Sequence, residues 1–329
     1  MQRIRRILVA VKNLQGTAPP AVTKAAQLAH AFGASVELFH AIVTPLYIDA
    51  YSYPNGGLAN TERDIQERCL TQLRAMAKPL QRRAIEVSVA AEWDFPGYEA
   101  VIRRASKIKA DLIVADLHAG THAAAGMLHL TDWELLRLSA LPVLLVKTKT
   151  PYQRPVILAA VDPTHARAKP AALDKQILSV ASSITDSLRG TLHAVHAYIP
   201  APPSIWPADA AGALSLPRLM AQTARKARQV LDRALESAEI PRSRRHLVDR
   251  HPIDAIGLTA RQVHSSIVVM GAVSRSGLKG FFIGNTAERV LDSLTCDVLV
   301  IKPVNFNHKV PRTLRGAKLF AAPSMAFPY

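Results

Sequence analysis

Apolar runs alternate with amphipathic segments along the chain of 329 residues. Short, β-branched apolar runs indicate strands, and longer stretches with apolar residues at helical spacing indicate helices. Runs that are apolar on both faces are typical of a parallel sheet covered by helices. In the first half, the pattern predicts strands at 7–11, 36–41, 87–92, 112–115 and 143–146, and helices at 21–31, 62–84, 98–107 and 133–138.

The same pattern occurs a second time. The apolar runs 7–11, 110–114 and 142–147 return about 150 to 155 residues later, at 157–161, 265–269 and 297–302, which indicates an internal repeat. In the second half, the long and short helices are predicted at 219–237 and 254–263. The repeat predicts two homologous domains, 1–150 and 151–305. Both are expected to have an open, doubly wound α/β fold, in which ligands bind outside the carboxyl ends of the strands.

A glycine-rich stretch follows the fourth predicted strand of the second domain, and it leads into a helical run. Loop N–H groups and the first-turn amides of a helix attract anions such as phosphate. Glycine suits such a loop because it permits a positive φ and a close approach of the backbone to the ligand. An asparagine or threonine at the start of the helix can cap it. The candidate phosphate-binding residues are Gly271, Ser274, Gly284, Asn285 and Thr286.

This loop resembles the nucleotide signature of the universal stress protein family: Gly, two residues, Gly, nine residues, Gly, then Ser, Thr or Asn. Gly271, Gly284 and Asn285 fit the signature, whereas Ser274 stands at the second glycine and places a Cβ near the phosphates. The stretches 284–288 and 296–303 are similar to the tandem E-type members of the family. The resemblance implies two Rossmann-like domains of the adenine nucleotide alpha hydrolase type.

The resemblance also implies a function and two further site residues. It implies a stress-response regulatory protein that binds ATP or another adenine nucleotide, alone or with Mg²⁺, in its second domain, with little or no hydrolysis. Asp162, after the first strand of that domain, is implied to contact the ribose or metal-bound phosphates, although Asp before Pro is also a common turn starter. Ala197 is implied to meet the adenine through its backbone.

The first domain lacks these features. Lys12 stands where the second domain has Asp162, and the signature positions are occupied by Asp116, Ala119, His129 and Leu130. A carboxylate at the loop entrance repels phosphate, so we expect no nucleotide in this domain. His118, His122 and His129 lie in the same loop and could hold zinc, but the loop is rich in glycine and alanine and contains no cysteine. No metal site is predicted.

Composition adds expectations about partners. The net charge is +16 and the pI is near 10.2, but the positive residues are scattered and aromatic residues are only 5% of the chain, too few to favour a stacking platform for single-stranded nucleic acid. Solvated charge is therefore favoured, with RNA, DNA or anionic lipid as the alternative partner. The tail, 306–329, is basic and rich in proline, and we expect it to lie outside the core.

Other features concern location and activity. No apolar run is long enough to span a bilayer and no signal peptide is evident, so a cytoplasmic protein is expected. Cys69 and Cys296 are expected to be reduced thiols. Because no catalytic constellation is recognisable, an enzyme is not expected.

The alternative to a nucleotide-binding regulator is an interaction scaffold without nucleotide, whose sites are either empty or hold an apolar ligand or nucleic acid. Protein partners are expected in either case. The edges of the final strands are expected to be covered by an internal pseudo-dimer of the two domains or by a homodimer.

Overall fold

The computed structural model describes residues 4–16, 18–48, 57–117, 133–164, 171–199, 216–272, 285–306 and 310–321. The chain divides into two units. Of the described residues, the first unit comprises those of Ile4–Val146 together with 310–321, and the second comprises those of Lys147–Phe306. The division at Lys147 lies close to the predicted boundary at residue 150.

The first unit is a parallel sheet with helices between its strands. Its elements are β1 (Arg6–Ala10), α1 (Pro20–Phe32), β2 (Ser35–Ile42), β3 (Leu46–Ile48), α2 (Gly57–Gln81), β4 (Val87–Trp93), α3 (Gly97–Lys107), β5 (Leu112–Asp116), α4 (133–138) and β6 (Val143–Val146). The strand order in the sheet is β4-β2-β1-β5-β6, and the paired strands are parallel.

The second unit repeats this arrangement. Its elements are β7 (Val156–Ala160), α5 (Ala171–Ser187), β8 (Thr191–Ala197), α6 (Leu216–Ala234), β9 (Arg245–Val248), α7 (Pro252–Gln262), β10 (Ile267–Gly271), α8 (Asn285–Ser293) and β11 (Asp297–Ile301). The strand order is β9-β8-β7-β10-β11, again with parallel pairs. The two units therefore share one topology, in which the strand order reverses between the first and fourth strands.

Burial explains why these segments form strands and helices. Ile7, Leu8 and Val9 in β1 and Ile267, Val268 and Val269 in β10 are all fully buried, as expected for central strands that are covered on both faces. In α5, Leu173, Ile177 and Ala181 are fully buried at four-residue spacing, so one face of that helix packs on the sheet.

The predicted elements are present, with boundaries that move by a few residues. Helix α1 spans Pro20–Phe32 rather than 21–31, and it ends at Gly33, whose φ of 64° is left-handed. The long helix α2 begins at Gly57, five residues earlier than predicted. The doubly wound α/β fold with two repeated domains is confirmed.

The described part of the C-terminal tail docks on the first unit, while most of its side chains stay outside the core; of residues 310–319 only Val310 is buried. Residues 310–321 belong to the first unit, where β12 (Leu319–Ala321) pairs in parallel with β3. Neither β3 nor β12 was predicted. The physical reason for the docking is charge and backbone pairing together, because Arg315 bonds Glu99 while the neighbouring backbone completes a two-stranded ladder.

Candidate functional site

Three predicted site residues lie at one edge of the second unit's sheet. β7, β8 and β10 are parallel neighbours, with Ala160 of β7 paired to Val195 and to Met270, so their carboxyl ends share that edge. Asp162 follows the end of β7, Ala197 ends β8 and Gly271 ends β10. Asn285 and Thr286 begin α8, but their side chains lie outside the described part of the chain, as do Ser274 and Gly284 entirely.

Asp162 is held by hydrogen bonds on both its backbone and its side chain. Its N–H donates to Asp174 Oδ1 at 3.1 Å, and its Oδ1 accepts from Thr164 Oγ1 at 2.8 Å. The residue is partly exposed, so its carboxylate can still meet a hydroxyl or a cation. Mg²⁺ is usually bound by one or two carboxylates together with substrate phosphates, and Asp162 fits that role.

Ala197 lies in the part of β8 that extends beyond the end of β7. The carbonyl of Val195 accepts the Val161 N–H at 3.0 Å, and every second residue of a strand directs its backbone groups to the same side. The backbone groups of Ala197 therefore point towards the side on which β7 has ended. Beside it, the buried His196 contacts the Val161 carbonyl through Nδ1 at 3.3 Å. Sequence reasoning gave this histidine no role.

The glycine at position 271 is required by packing. A β-carbon there would lie 2.7 Å from Leu173 Cδ2 and 3.2 Å from Ile177 Cδ1, both on α5. Such distances are shorter than ordinary van der Waals contact, so a side chain here would force the buried Leu173 and Ile177 side chains to shift. Gly271 is the last residue of a strand and its φ is not in the left-handed region. The explanation that a positive φ requires glycine therefore does not apply at this position.

Lys302 is a further charged residue at the same edge. It follows Ile301, the last residue of β11. Because the Ile301 carbonyl accepts the Ala272 N–H at 3.0 Å, Lys302 lies beside the start of the glycine loop. Lys302 is buried, and its Nζ has no hydrogen-bond partner among the residues that the structure describes. The ammonium group lies 4.8 Å from the centre of the Phe306 ring. Burial lowers the pKa of Lys302 to about 8. The sequence contained this lysine but no signal of its burial.

The same edge of the first unit carries its own charges. Asp116 stands at the position of Gly271, and its Oδ1 accepts the Ala21 N–H at the start of α1 at 2.9 Å. The Nζ of Lys12, at the position of Asp162, reaches the Asp116 carbonyl at 3.4 Å. The partial positive charge of the helix N-terminus is thus met by a resident carboxylate, which leaves this edge poorly suited to phosphate.

A groove lies at the opposite edge of the second unit, away from the predicted site. It has a volume of about 520 Å³ and is lined by residues before β7, β10 and β11, including Tyr152, His264 and Cys296. Burial raises the pKa of Cys296 to about 11, so its thiol is protonated at neutral pH and a poor nucleophile. Cys69 and Cys296 are both buried and form no disulfide.

Among the described residues, no group of three or more His, Cys, Asp or Glu side chains could hold a metal ion; the histidines 118, 122 and 129 lie outside them. The helices of the described segments include none that is both long and apolar enough to cross a bilayer.

Many of the positive residues are neutralised within the fold. Arg104 bonds to Glu37 and Glu92 at 2.6 Å, and Arg245 bonds to Asp232 at 3.0 Å. Other positive residues are exposed. Five of them lie on α6: Arg218, Arg225, Lys226, Arg228 and Arg233. Solvated charge stays the favoured interpretation of these residues, with RNA, DNA or anionic lipid as the alternative partner.

These features define a class of protein: a tandem pair of doubly wound α/β domains with a candidate ligand edge in the second. Residues 3–147 and 155–302 each match the universal stress protein family. The chain therefore belongs to the universal stress protein family, with two such domains in tandem.

Individual relatives cover almost the whole chain. The universal stress protein E of Salmonella typhi is 26% identical over 304 residues, which is 88% of this chain and 92% of that protein. A crystal structure of a universal stress protein from Pseudomonas aeruginosa UCBPP-PA14 is 26% identical, with a TM-score of 0.69 over 92% of this chain and 95% of that chain. A protein from Pseudomonas aeruginosa PAO1, described as functionally unknown, is 25% identical, with a TM-score of 0.70 over 92% of this chain and 94% of that one.

Proposed function

We propose that this universal stress protein is a regulator that binds ATP or a related adenine nucleotide in its second unit. The observation that carries the proposal is the order of strand, loop and helix: β10 ends at Gly271 and α8 begins at Asn285, with the glycine signature between them. The N-terminus of α8 offers free amides and a partial positive charge to a phosphate group.

Asp162 and Ala197 complete the proposed site. The carboxylate of Asp162 would contact the ribose or hold Mg²⁺ against the phosphates. The backbone of Ala197 would meet the adenine where β8 extends past β7. Both residues lie at the edge of the strands where doubly wound folds bind ligands.

Lys302 supports an anionic ligand at this edge. A buried ammonium group without a hydrogen-bond partner costs free energy, and no acidic side chain of the described residues offsets that cost. A nucleotide phosphate would supply the missing negative charge. The proposal therefore assigns Lys302 to the phosphate end of the site.

We further propose that binding changes the protein's interactions with partners and that the nucleotide is hydrolysed slowly or not at all. Catalysis of hydrolysis needs a positioned base for the attacking water. The described part of the candidate edge offers two carboxylates, Asp162 and Asp174. The proposal already assigns Asp162 to the ribose or Mg²⁺, and Asp174 is buried and accepts the Asp162 N–H. A regulatory role in the cytoplasm accords with the stress-response family to which the chain belongs.

The test replaces the glycine that precedes α8. Gly284→Val adds a branched side chain where the loop meets the helix, and it should abolish binding of ATP in the presence of Mg²⁺, as measured by isothermal titration calorimetry. The matched control is His129→Val, since His129 stands at the equivalent position of the first unit. That variant should bind ATP as the unchanged protein does.

Circular dichroism and thermal unfolding should show that both variants remain folded. Wild-type affinity in a folded Gly284→Val protein would contradict the phosphate-loop assignment. Failure of the unchanged protein itself to bind adenine nucleotides would favour the alternative of an interaction scaffold.

A further inference from the structure

The C-terminal segment 310–321 lies across the carboxyl ends of two strands of the first unit. The Leu46 N–H donates to the Lys318 carbonyl at 2.8 Å, and β12 then pairs in parallel with β3, which follows β2. The Arg315 N–H donates to Asp94 Oδ1 at 3.0 Å, and Asp94 directly follows β4. The segment is therefore fixed at two separate places.

A buried acidic site receives the segment. Asp94 is fully buried, and Glu99 and Arg103 are nearly so. Arg103 bonds to Asp94 through Nε at 2.7 Å and Nη2 at 2.8 Å, and to Glu99 through Nη1 at 2.9 Å. Two carboxylates share one guanidinium, which leaves one negative charge to be balanced, and an unbalanced buried charge is strongly destabilising.

Arg315 supplies the balancing charge. Its Nη2 donates to both oxygens of Glu99, at 3.0 and 3.2 Å. Its guanidinium carbon and the Nζ of Lys318 lie 5.8 and 5.9 Å from the centre of the Phe95 ring, within reach of a cation–π interaction. Gly316 follows with a φ of 72°, which lets the chain turn between the acidic site and β12.

We propose that the first unit carries a binding site for an extended, arginine-bearing peptide segment, and that residues 310–321 of the same chain are its ligand. Pairing with a strand supplies affinity that is independent of sequence, and pockets for individual side chains supply specificity. Here β3 provides the pairing edge, Glu99 binds the arginine side chain, and Asp94 accepts the backbone N–H of the same arginine. The inference does not depend on nucleotide binding in the second unit.

The site gives the first unit a ligand other than nucleotide. Arg103 also donates to the Pro311 carbonyl at 3.2 Å, so the segment is held on both sides of Arg315. A basic segment of a partner protein with the same spacing of arginine and strand would have to displace the tail. Only a partner segment that binds the site more favourably than the docked tail would therefore displace it.

Hydrogen–deuterium exchange of the full chain tests the docking. In the unchanged protein, the amides of Leu46 and of residue 315, which donate to the Lys318 carbonyl and to Asp94, should be protected. Arg315→Glu should speed their exchange by at least about tenfold, because it removes charge-assisted hydrogen bonds and adds repulsion. The matched control is Arg312→Glu, since Arg312 is exposed and contacts none of the described residues through a hydrogen bond or ion pair. It should leave the exchange unchanged.

Equal exchange in the Arg315→Glu and Arg312→Glu proteins, or unprotected amides in the unchanged protein, would overturn the proposal. A second measurement tests the ligand class. A labelled peptide of residues 310–321 should bind the Arg315→Glu chain more tightly than the same peptide with Glu in place of arginine at position 315, as measured by fluorescence anisotropy. Equal binding of the two peptides, including no binding by either, would also overturn it.

Discussion

Gly271 shows how one residue can satisfy a family signature for a reason unrelated to the ligand. The signature suggested that glycine is needed for phosphate, but the structure places its α-carbon against Leu173 and Ile177 of α5. Both side chains are fully buried and cannot easily move. Gly271 therefore determines how closely β10 and α5 pack, and through that packing it positions the start of the loop.

Gly271→Ala should lower the free energy of unfolding by about 1–3 kcal/mol, which is typical of overpacking a core. The loss should occur without nucleotide present. The control is Gly257→Ala in α7, where a β-carbon would lie 3.5 Å from Arg261 Nη1 and 3.6 Å from Ser293 Oγ, both ordinary contacts. That substitution should keep or raise stability, because alanine favours a helix interior by roughly 0.5–1 kcal/mol over glycine. Chemical denaturation of both proteins would measure the difference, and equal effects would contradict the packing role.

The lowered pKa of Lys302 predicts that the free energy of unfolding depends on pH. Its folded-state pKa, about 8, lies below the ordinary value of 10.5. Between these pH values the unfolded chain binds more protons than the folded chain, so the stability of the unchanged protein should rise with pH through this window. Lys302→Met removes the penalty and should raise the free energy of unfolding at pH 7 by up to roughly 3 kcal/mol.

The gain from Lys302→Met should shrink as the pH rises from 8 to 10.5. Lys147→Met is the control, because the Nζ of Lys147, at the equivalent position after β6, donates to the Leu294 carbonyl at 2.7 Å and to the Leu291 carbonyl. Its removal should destabilise the protein. Urea denaturation at a series of pH values measures both effects, and a Lys302→Met protein no more stable than the unchanged one at pH 7 would contradict the account.

At the scale of elements, the regular strands and helices were predictable because periodicity reports burial. The central strands are apolar on both faces, and the helices repeat apolar residues at helical spacing, so β10 at Ile267–Gly271 and α3 at Gly97–Lys107 fall within a residue or two of expectation. Helix starts were predicted less accurately, as α2 shows, because its first turn contains Gly57 and Asn60, which are poor helix formers.

The short ladder of β3 and β12 could not be predicted. Each strand has three residues, too few for a periodic signal, and their partners are separated by more than 270 positions in the chain. The acidic site that anchors the tail is equally hidden, since Asp94, Glu99 and Arg103 resemble solvated charges in the sequence. Only their burial shows that they need a further positive charge from Arg315.

The candidate site was predictable to the extent that it follows strand ends. Asp162, Ala197 and Gly271 share one edge because neighbouring parallel strands end there. The roles of Lys302 and His196 depend on burial and on contacts with distant backbone, which a sequence pattern does not contain. Ser274, Gly284 and the side chains of Asn285 and Thr286 stay predictions.

The two units share one topology but differ in the residues that stand at the carboxyl ends of their strands. In the first unit, Asp116 and Lys12 occupy the edge, and the tail covers the ends of β2 and β4. In the second unit, glycine and aspartate stand at the same positions, and Lys302 adds a buried positive charge. We infer that the duplication has divided two tasks between the units, with peptide binding in the first and nucleotide binding in the second.

Calorimetric titration of the full chain with ATP and Mg²⁺ tests this division most directly. We expect one binding site per chain, because the resident carboxylate of Asp116 meets the α1 N-terminus in the first unit while the second unit keeps the glycine loop. A stoichiometry of one would agree with the account. Two equal sites per chain, or none, would contradict it.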